Sequence, residues 1–248
     1  MADDQIKKAA TLIRESKYTS AFTGAGISVE SGIPPFRGEE GLWSKYDPKT
    51  LEIDFFYRNP KESWKVIMEI FYEFFGKATP NRAHEVLAEL EKRGLLKSVI
   101  TQNIDNLHQE AGSRVVYEFH GNSKKLVCTF CNAVYSVGEL SMDVLPVRCP
   151  KCNMLVKPDF IFFGEAIPQD AYNHALEAAR NSQVMLVIGT TAEVMPAGQI
   201  PIMAKSNGAT IIEVNREPSN LTGHITDIFL QGKASVVMDE LLKNIIKT

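Results

Sequence analysis

Little in this sequence would hold it to a membrane or to a polyanion. Its longest wholly apolar stretches, such as Val184 to Ile188, fall far short of the ~20 residues that cross a bilayer. The start, Met1-Ala-Asp-Asp-Gln, is acidic and lacks the basic opening and apolar run of a secretory signal. Charge of one sign is not in excess: 27 Lys+Arg against 30 Asp+Glu leave −3, which serves neither nucleic acid nor a polybasic membrane patch. Only four cysteines occur among 248 residues, too few for a disulfide framework in a chain long enough to bury a core without one. No repeat and no low-complexity tract interrupts the chain. What is present, 44% apolar and 23% charged residues, is globular composition and excludes disorder. At about 150 residues per domain the length bounds the answer to one or two domains. A cytoplasmic globular protein is expected, and the scant extension beyond its core suggests a microbial one.

The cysteines fall as Cys128-Thr-Phe-Cys131 and Cys149-Pro-Lys-Cys152, with 17 residues between the pairs. Two C-x2-C knuckles at that separation read as one tetrahedral zinc site in a reducing compartment. Nested disulfides would be strained and in the wrong compartment. A thioredoxin-like redox pair explains one knuckle and not two. Four sulfur ligands leave no open position, so the metal is expected to be structural, holding a small lobe together.

Around that segment the pattern alternates. Apolar residues at helical spacing mark Asp4 to Lys17, and Ser20-Ala-Phe-Thr feeds Gly24-Ala-Gly-Ile-Ser as a strand, a glycine turn and a helix. A Gly- and Pro-rich loop follows through Gly41. Trp64, Ile67, Met68, Phe71, Tyr72 and Phe75 give one aromatic helix between Pro60 and Lys77, and a second helix runs from about Asn81 to Arg93. Strands are expected at Ser98–Thr101, Val115–Phe119, Val184–Ile188 and Thr210–Val214, with helices at about 169–181, 196–206 and 234–246. Buried strands alternating with helices make an α/β fold with a parallel, doubly wound sheet. The zinc segment, the one composition break, makes a second domain discontinuous: 29–97 and 121–160, set into 1–28, 98–120 and 161–248.

Polar residues collect at the strand ends: Gly24-Ala-Gly26, Thr101-Gln-Asn-Ile-Asp105, Glu118-Phe-His120-Gly121, Gly189-Thr-Thr191 and Asn215-Arg-Glu217. In open α/β sheets ligands bind outside those ends. Gly24-Ala-Gly26 suits a phosphate loop, with backbone N–H groups and the positive end of the next helix facing an anion, although a ligand-free tight turn explains it as well. The third glycine of a dinucleotide fingerprint is replaced by Val29, so this is not the fingerprint of an ordinary hydride-transferring dehydrogenase. His120, followed by glycine at the crevice edge, reads as a catalytic base rather than a packing residue. His84, His108, His174 and His224 read as structural or solvent-facing.

Gly24-Ala-Gly-Ile-Ser-Val-Glu-Ser-Gly-Ile-Pro-Pro-Phe-Arg-Gly38, then Thr101-Gln-Asn-Ile-Asp105, Phe119-His-Gly121 and the double C-x2-C closely resemble the sirtuins. Phe163-Gly-Glu165, Gly189-Thr-Thr191, Val214-Asn215 and Gly232-Lys-Ala234 continue the match from about Ile13 to Leu242. The resemblance implies a Rossmann-like NAD-binding domain with an inserted zinc-ribbon and helical domain. It also implies an NAD-consuming protein lysine deacetylase that releases nicotinamide and O-acetyl-ADP-ribose. By that match Gly24, Ala25, Gly26, Ser28, Phe36 and Arg37 bind the cofactor, and Ala25, Gly26, Phe36 and Arg37 belong to a mobile loop over it. Gln102, Asn103, Ile104 and Asp105 line its nicotinamide ribose. Gly189, Thr190, Thr191, Asn215, Arg216, Glu217 and Ala234 hold its adenosine half. Ile161, Phe163, Gly164, Glu165, Glu193 and Val194 pair with an acetyl-lysine peptide as added strands. His120, Asn103 and Asp105 carry the chemistry, His120 by accepting a ribose hydroxyl proton, and Cys128, Cys131, Cys149 and Cys152 hold one structural zinc. A monomer without a nucleic-acid partner is expected.

Two departures from the family pattern matter. Members that prefer succinyl or malonyl groups carry a Tyr-x-x-Arg pair whose positions fall here at Ile67 and Ile70, so neutral acyl groups, acetyl first, are expected. Residues 189–196 read Gly-Thr-Thr-Ala-Glu-Val-Met-Pro where the family more often has Gly-Ser-Ser-Leu-Val-Val-Tyr-Pro, so Glu193 and Met195 are expected to alter peptide choice. Three alternatives stand beside the deacetylase: a mono-ADP-ribosyltransferase using the same pocket, a deacylase of longer neutral groups, and a non-catalytic zinc-ribbon module with Lys124, Lys125, Arg148, Lys151 and Lys157 as a basic patch.

Overall fold

A computed structural model describes residues 2–36, 38, 41–74 and 77–247. Arg37 and Phe75, singled out in the sequence, lie outside the described residues. The larger sheet holds β1 (Thr19–Thr23), β2 (Ser98–Thr101), β3 (Val116–Glu118), β7 (Val184–Ile188), β8 (Thr210–Asn215) and β9 (Ile228–Gln231). Its order is β3-β2-β1-β7-β8-β9, with every pairing parallel. Counted within the sheet this is 3-2-1-4-5-6, the doubly wound dinucleotide-binding order, whose direction reverses between the first and fourth strands. Here that point lies between β1 and β7.

Every residue of β1 and β7 is buried, because helices cover both faces and side chains alternate between them. Ala21, Leu186, Ile188, Ile212 and Val214 pack with α1 (Ala2–Glu15), α4 (Arg82–Lys92) and α8 (Ala234–Ile246) on one face. Phe22, Ile100, Met185, Val187 and Ile211 pack with α6 (Gln169–Asn181) and α7 (Gln199–Ser206) on the other. The sequence groups α4 with the smaller domain through the segment 29–97. The structure sets Ala83, Val86, Leu87 and Leu90 in the large core instead. Asn81 caps α4 by accepting from Ala83 N–H at 2.9 Å, with His84 returning the capping-box bond.

The smaller lobe is an antiparallel sheet, β5-β4-β6, made of β4 (Gly121–Cys128), β5 (Val134–Ser136) and β6 (Val156–Phe160). The aromatic helix expected between Pro60 and Lys77 starts at Pro60 but changes to a π-helical turn at Met68, and a short helix not expected from the sequence precedes it. α2 (Ile53–Arg58) stops at Asn59, α3 (Pro60–Ile67) restarts with proline in its first turn, and Met68–Phe74 continues as a π-helical turn. Proline fits a first helical turn but supplies no N–H to a preceding one, which accounts for the break. Trp64, Phe56, Phe71, Phe160 and Phe162 fill the core of this lobe. Trp64 is fully buried, and its ring N–H donates to Val156 O at 2.9 Å. Among the described residues no helix is long and apolar enough to cross a membrane.

Candidate active site and metal centre

Parallel strands deliver their carboxyl ends to one edge. Thr23 pairs with Ile188, so the residues that follow, Gly24 and Gly189, meet at the point of reversal. A cleft of about 450 Å³ opens there. Its walls include Gly24, Ala25, Gly26, Phe36, Gln102, Asn103, His120, Gly189, Thr190, Thr191, Val194, Asn215, Arg216, Glu217 and Ala234, all singled out in the sequence. Val29, Glu30, Pro35, Val214, Pro218 and Gly232 also line it. Glu30 lay within the quoted glycine-loop motif, but nothing in the motif spacing assigned it a task. Its carboxylate accepts from Ser235 N at 2.9 Å and Ser235 Oγ at 2.7 Å, tying this loop to the start of α8.

The glycine turn works differently from the expectation. No α-helix follows it; two 3-10 turns, Ala25–Ile27 and Val29–Ser31, do, so no helix end faces the cleft there. The N–H groups of Gly24 and Gly26 donate to Ile188 O and Gly189 O at 3.1 and 2.8 Å. A Cβ on Gly24 would lie 2.7 Å from Thr190 Cβ, and one on Gly26 would lie 2.7 Å from Gly189 Cα. Side chains are absent here because two strand-end loops cross in contact. Gly189 itself has φ +64, and a Cβ on it would meet Ile27 N at 2.2 Å.

His120 Nδ1 lies 3.0 Å from Gln102 O. A carbonyl only accepts, so Nδ1 carries the proton and Nε2 keeps its lone pair. Burial lowers the pKa of His120 below its ordinary value, and the bond to Gln102 O opposes that shift. Asn103 is buried, and its Nδ2 donates to Gly24 O at 3.2 Å and Ser28 Oγ at 3.1 Å. Both N–H groups are thereby used, leaving Oδ1 as the acceptor on the cleft side. Gln102 Nε2 donates to Thr190 Oγ1 at 2.9 Å, bracing one strand end against the next.

Ser28, Ile104 and Asp105 stand behind this wall rather than in it. Asp105 accepts from Ser28 Oγ at 2.7 Å and from Leu107 N–H at 3.0 Å. Burial raises its pKa, against those two bonds. Its far side borders a second cavity of about 260 Å³, lined also by Phe71, Tyr72, Ser123, Lys124, Val137 and Met142. Ile67 and Ile70, on which the neutral-acyl expectation rests, are buried in the small-lobe core and line neither cavity. They therefore say nothing about acyl choice.

Of the four histidines read from the sequence as structural or solvent-facing, His84 and His108 are buried below the wall. His84 and His108 meet edge to face with ring centroids 4.9 Å apart, and His108 Nε2 lies 2.9 Å from Thr23 Oγ1. Burial pushes the pKa of His84 down to about 4 and that of His108 well below its ordinary value.

Of the expected peptide contacts, Val194 lines the cleft and the others flank it. Ile161 N–H donates to His120 O at 2.9 Å. Phe163 is 47% exposed, yet its backbone N–H and C=O are both taken, by Leu51 O and Ile53 N–H. A peptide strand added here must pair with neighbouring backbone instead. The Phe163 ring continues through Trp43 to Phe36 at centroid separations of 6.0 and 5.3 Å. Gly164 turns the chain with φ +90. The Glu165 carboxylate accepts from Lys157 Nζ at 3.0 Å and Phe162 N–H at 2.8 Å. This buried pairing also removes Lys157 from any basic patch. Glu193 is exposed, with Asn220 Nδ2 at 3.5 Å.

The four cysteines converge, with all sulfurs within 4.8 Å of one another and no disulfide among them. Cys128–Cys152, Cys131–Cys152 and Cys131–Cys149 lie at 3.5, 3.6 and 3.7 Å. Zn–S bonds of about 2.3 Å in a tetrahedron put sulfurs about 3.8 Å apart, so the set fits zinc. Asn132 and Asn153, each following a knuckle, take left-handed φ of 54 and 61. Their N–H groups close the turns onto Cys128 O and Cys149 O. Tyr135 Oη lies 3.1 Å from Cys149 Sγ.

Comparisons with known proteins bear on the family and the fold. The model of the Sir2 family matches residues 24–196. The chain is 45% identical over 249 residues to the NAD-dependent protein deacylase 2 of Archaeoglobus fulgidus, covering 98% of this chain and 97% of that one. A crystal structure of a Sir2 homologue with NAD superposes with TM-score 0.90 at 42% identity, covering 97% and 93% of the two chains. A Sir2 variant with deacetylated p53 peptide and 3′-O-acetyl-ADP-ribose superposes with TM-score 0.89 at 37% identity, covering 96% and 97%.

Proposed function

The chain belongs to the Sir2 family, and from that premise we propose that it is an NAD-dependent protein lysine deacetylase. It transfers the acetyl group of acetyl-lysine to ADP-ribose, releasing nicotinamide and O-acetyl-ADP-ribose. One observation carries the chemistry: a half-buried histidine in the wall of the cleft, protonated on Nδ1 by its bond to Gln102 O, with Nε2 held as an acceptor.

The cleft fits a dinucleotide because it runs along the carboxyl ends of all six strands of the large sheet and by its acceptors, the Oδ1 atoms left over at Asn103 and Asn215. Bound NAD supplies an electrophilic ribose carbon and a neutral leaving group. Asn103 orients the ribose side from a rigid backbone site, and Asp105 holds Asn103 in place through Ser28. Phe36 and Pro35 close the cleft against water, which would compete with the weakly nucleophilic amide oxygen. His120 Nε2 takes the ribose hydroxyl proton for acyl transfer. Its lowered pKa keeps it neutral near pH 7, as a base requires. Arg216 is the only Lys or Arg among the described lining residues. Cys128, Cys131, Cys149 and Cys152 hold zinc as a closed cross-link of the small lobe, away from the acyl chemistry.

Acetyl-lysine peptides enter beside Val194 and the Phe163 ring. The enzyme is read as a cytoplasmic monomer without a nucleic-acid partner, in keeping with the near-neutral charge balance. Incubation with NAD and an acetyl-lysine peptide tests the assignment. Wild type should release nicotinamide and acetylated ADP-ribose in equal amounts. Mass added to a target protein, with no deacetylation, would instead identify an ADP-ribosyltransferase.

A further inference from the structure

The far wall of the cleft depends on a carboxylate that never reaches it. Glu213 lies on β8 two residues before Asn215, on the same face of the strand, and is fully buried. Its Oε1 accepts from Asn215 Nδ2 at 2.9 Å and Ser219 Oγ at 2.5 Å. Its Oε2 accepts from Thr222 Oγ1 at 2.7 Å and Thr226 Oγ1 at 2.6 Å. Four donors satisfy an ionised carboxylate, which otherwise could not remain in the core. Three of the four come from the segment between β8 and β9, whose first residues, Arg216, Glu217 and Pro218, line the cleft.

The fourth donor decides what the cleft presents. Asn215 Nδ2 donates its second hydrogen to Thr190 O at 3.0 Å. Both partners can only accept, so the amide has one possible orientation. Its remaining polar atom, Oδ1, is an acceptor, and Asn215 lines the cleft. A ligand at this point must bring a donor, such as a ribose hydroxyl, and a phosphate oxygen is refused.

We propose that Glu213 is a positioning residue for the co-substrate: it fixes the Asn215 amide and the 216–226 segment so that the cleft reads the adenosine ribose through an acceptor. The inference rests on the reading that the cleft takes NAD. It separates from that reading because binding can be followed without turnover.

The test compares wild type, Glu213→Leu and Glu213→Asp as zinc-loaded full-length protein. Far-UV circular dichroism reports folding, calorimetry gives the ADP-ribose Kd, and steady-state kinetics give kcat and both KM values. Removing the acceptor in Glu213→Leu should raise the ADP-ribose Kd and the KM for NAD by about tenfold or more. Peptide KM and kcat should stay within about twofold, a split that general loosening would not produce. Glu213→Asp keeps the charge but shortens the reach by one methylene, and should raise both cofactor constants by about threefold. A folded Glu213→Leu protein with wild-type ADP-ribose affinity, or with a loss confined to kcat, overturns the proposal. If Glu213→Leu does not fold, unchanged constants in Glu213→Asp overturn it. Wild type that binds ADP-ribose but leaves acetyl-lysine intact refutes the deacetylase assignment and not this one.

Discussion

In the large sheet, β1 and β7 bury every residue between two helical layers. In the small sheet, β5 leaves Val134 60% exposed, and the nearby Phe130 and Val144 are 72% and 78% exposed. One sheet is held by apolar burial on both faces. The other is too thin for that and closes around four thiolates and a knot of aromatic rings. Small lobes that cannot build a sufficient core depend on such cross-links. The catalytic cleft lies where the self-sufficient sheet meets the metal-dependent lobe, with His120 at the hinge between β3 and β4.

Metal removal should therefore split the molecule along this line. Structural zinc contributes on the order of 10 kcal/mol to small domains at neutral pH. Both tryptophans, Trp43 and Trp64, belong to the small lobe, so their fluorescence reports that lobe alone. Chelation, or Cys128→Ser, should shift Trp emission to the red and abolish deacetylation, while far-UV circular dichroism keeps most of its helical signal. A single cooperative loss of both signals would show that the large sheet is not self-sufficient.

His120→Ala touches only the junction. Loss of a general base costs about 10²- to 10⁴-fold, so acetyl transfer should drop about a thousandfold while zinc content and melting temperature stay near wild type. The lowered pKa has a sign. Burial disfavours the protonated form, so the neutral base persists below the ordinary histidine pKa of ~6.5. The acid limb of kcat/KM should fall below that pH and vanish in His120→Ala. An acid limb centred above pH 7 would contradict the burial argument.

A third contrast concerns acid stability, which the buried histidines assign to the large core. His84 titrates at about 4 in the folded chain and near ~6.5 unfolded. Between those values the unfolded chain binds more protons, so stability is complete above pH 6.5 and falls as pH drops toward 4. His84 alone accounts for about 3 kcal/mol across that window. Urea midpoints between pH 7 and 4.5 check this, and His84→Gln should show a shallower decline. Equal slopes in both proteins would remove His84 from the account.

The same contrast explains what could be read from sequence. Val184–Ile188 announced itself because a strand buried on both faces is an apolar run, Thr210–Val214 by its β-branched residues, and the C-x2-C pairs because metal geometry fixes spacing. His120 and Asn215 were legible as polar residues at strand ends. The roles of Gly24 and Gly26 were not, because a crossing of two loops distant in sequence, at Gly189, sets them. Glu213 was read only as part of a strand, since its four donors come from 215, 219, 222 and 226 and follow no period. The start of the aromatic helix at Pro60 was legible, but its change to a π-helical turn at Met68 was not, because the aromatic spacing continues through it. Placing α4 with the small lobe failed for a related reason: chain order groups it there, while its apolar face meets α1 and α8.

The smallest expected effect lies within the metal centre. Tyr135 is half-buried, and its hydroxyl stands 3.1 Å from Cys149 Sγ, the place of a donor to a metal-bound thiolate. Such outer partners orient ligands, and their removal typically lowers metal affinity about 10- to 100-fold. Tyr135→Phe keeps the ring in the small-lobe packing and deletes the hydroxyl alone. The variant should fold with one zinc and near-normal deacetylation, yet lose zinc to a chromogenic chelator about tenfold faster than wild type. Because Cys131 is exposed and Cys149 buried, release should begin at the Cys131 side, leaving the Tyr135 bond to govern the later step. Identical release curves for the two proteins would mean that the four thiolates and their backbone turns hold the metal unaided, and that this lobe's dependence on zinc ends at its ligands.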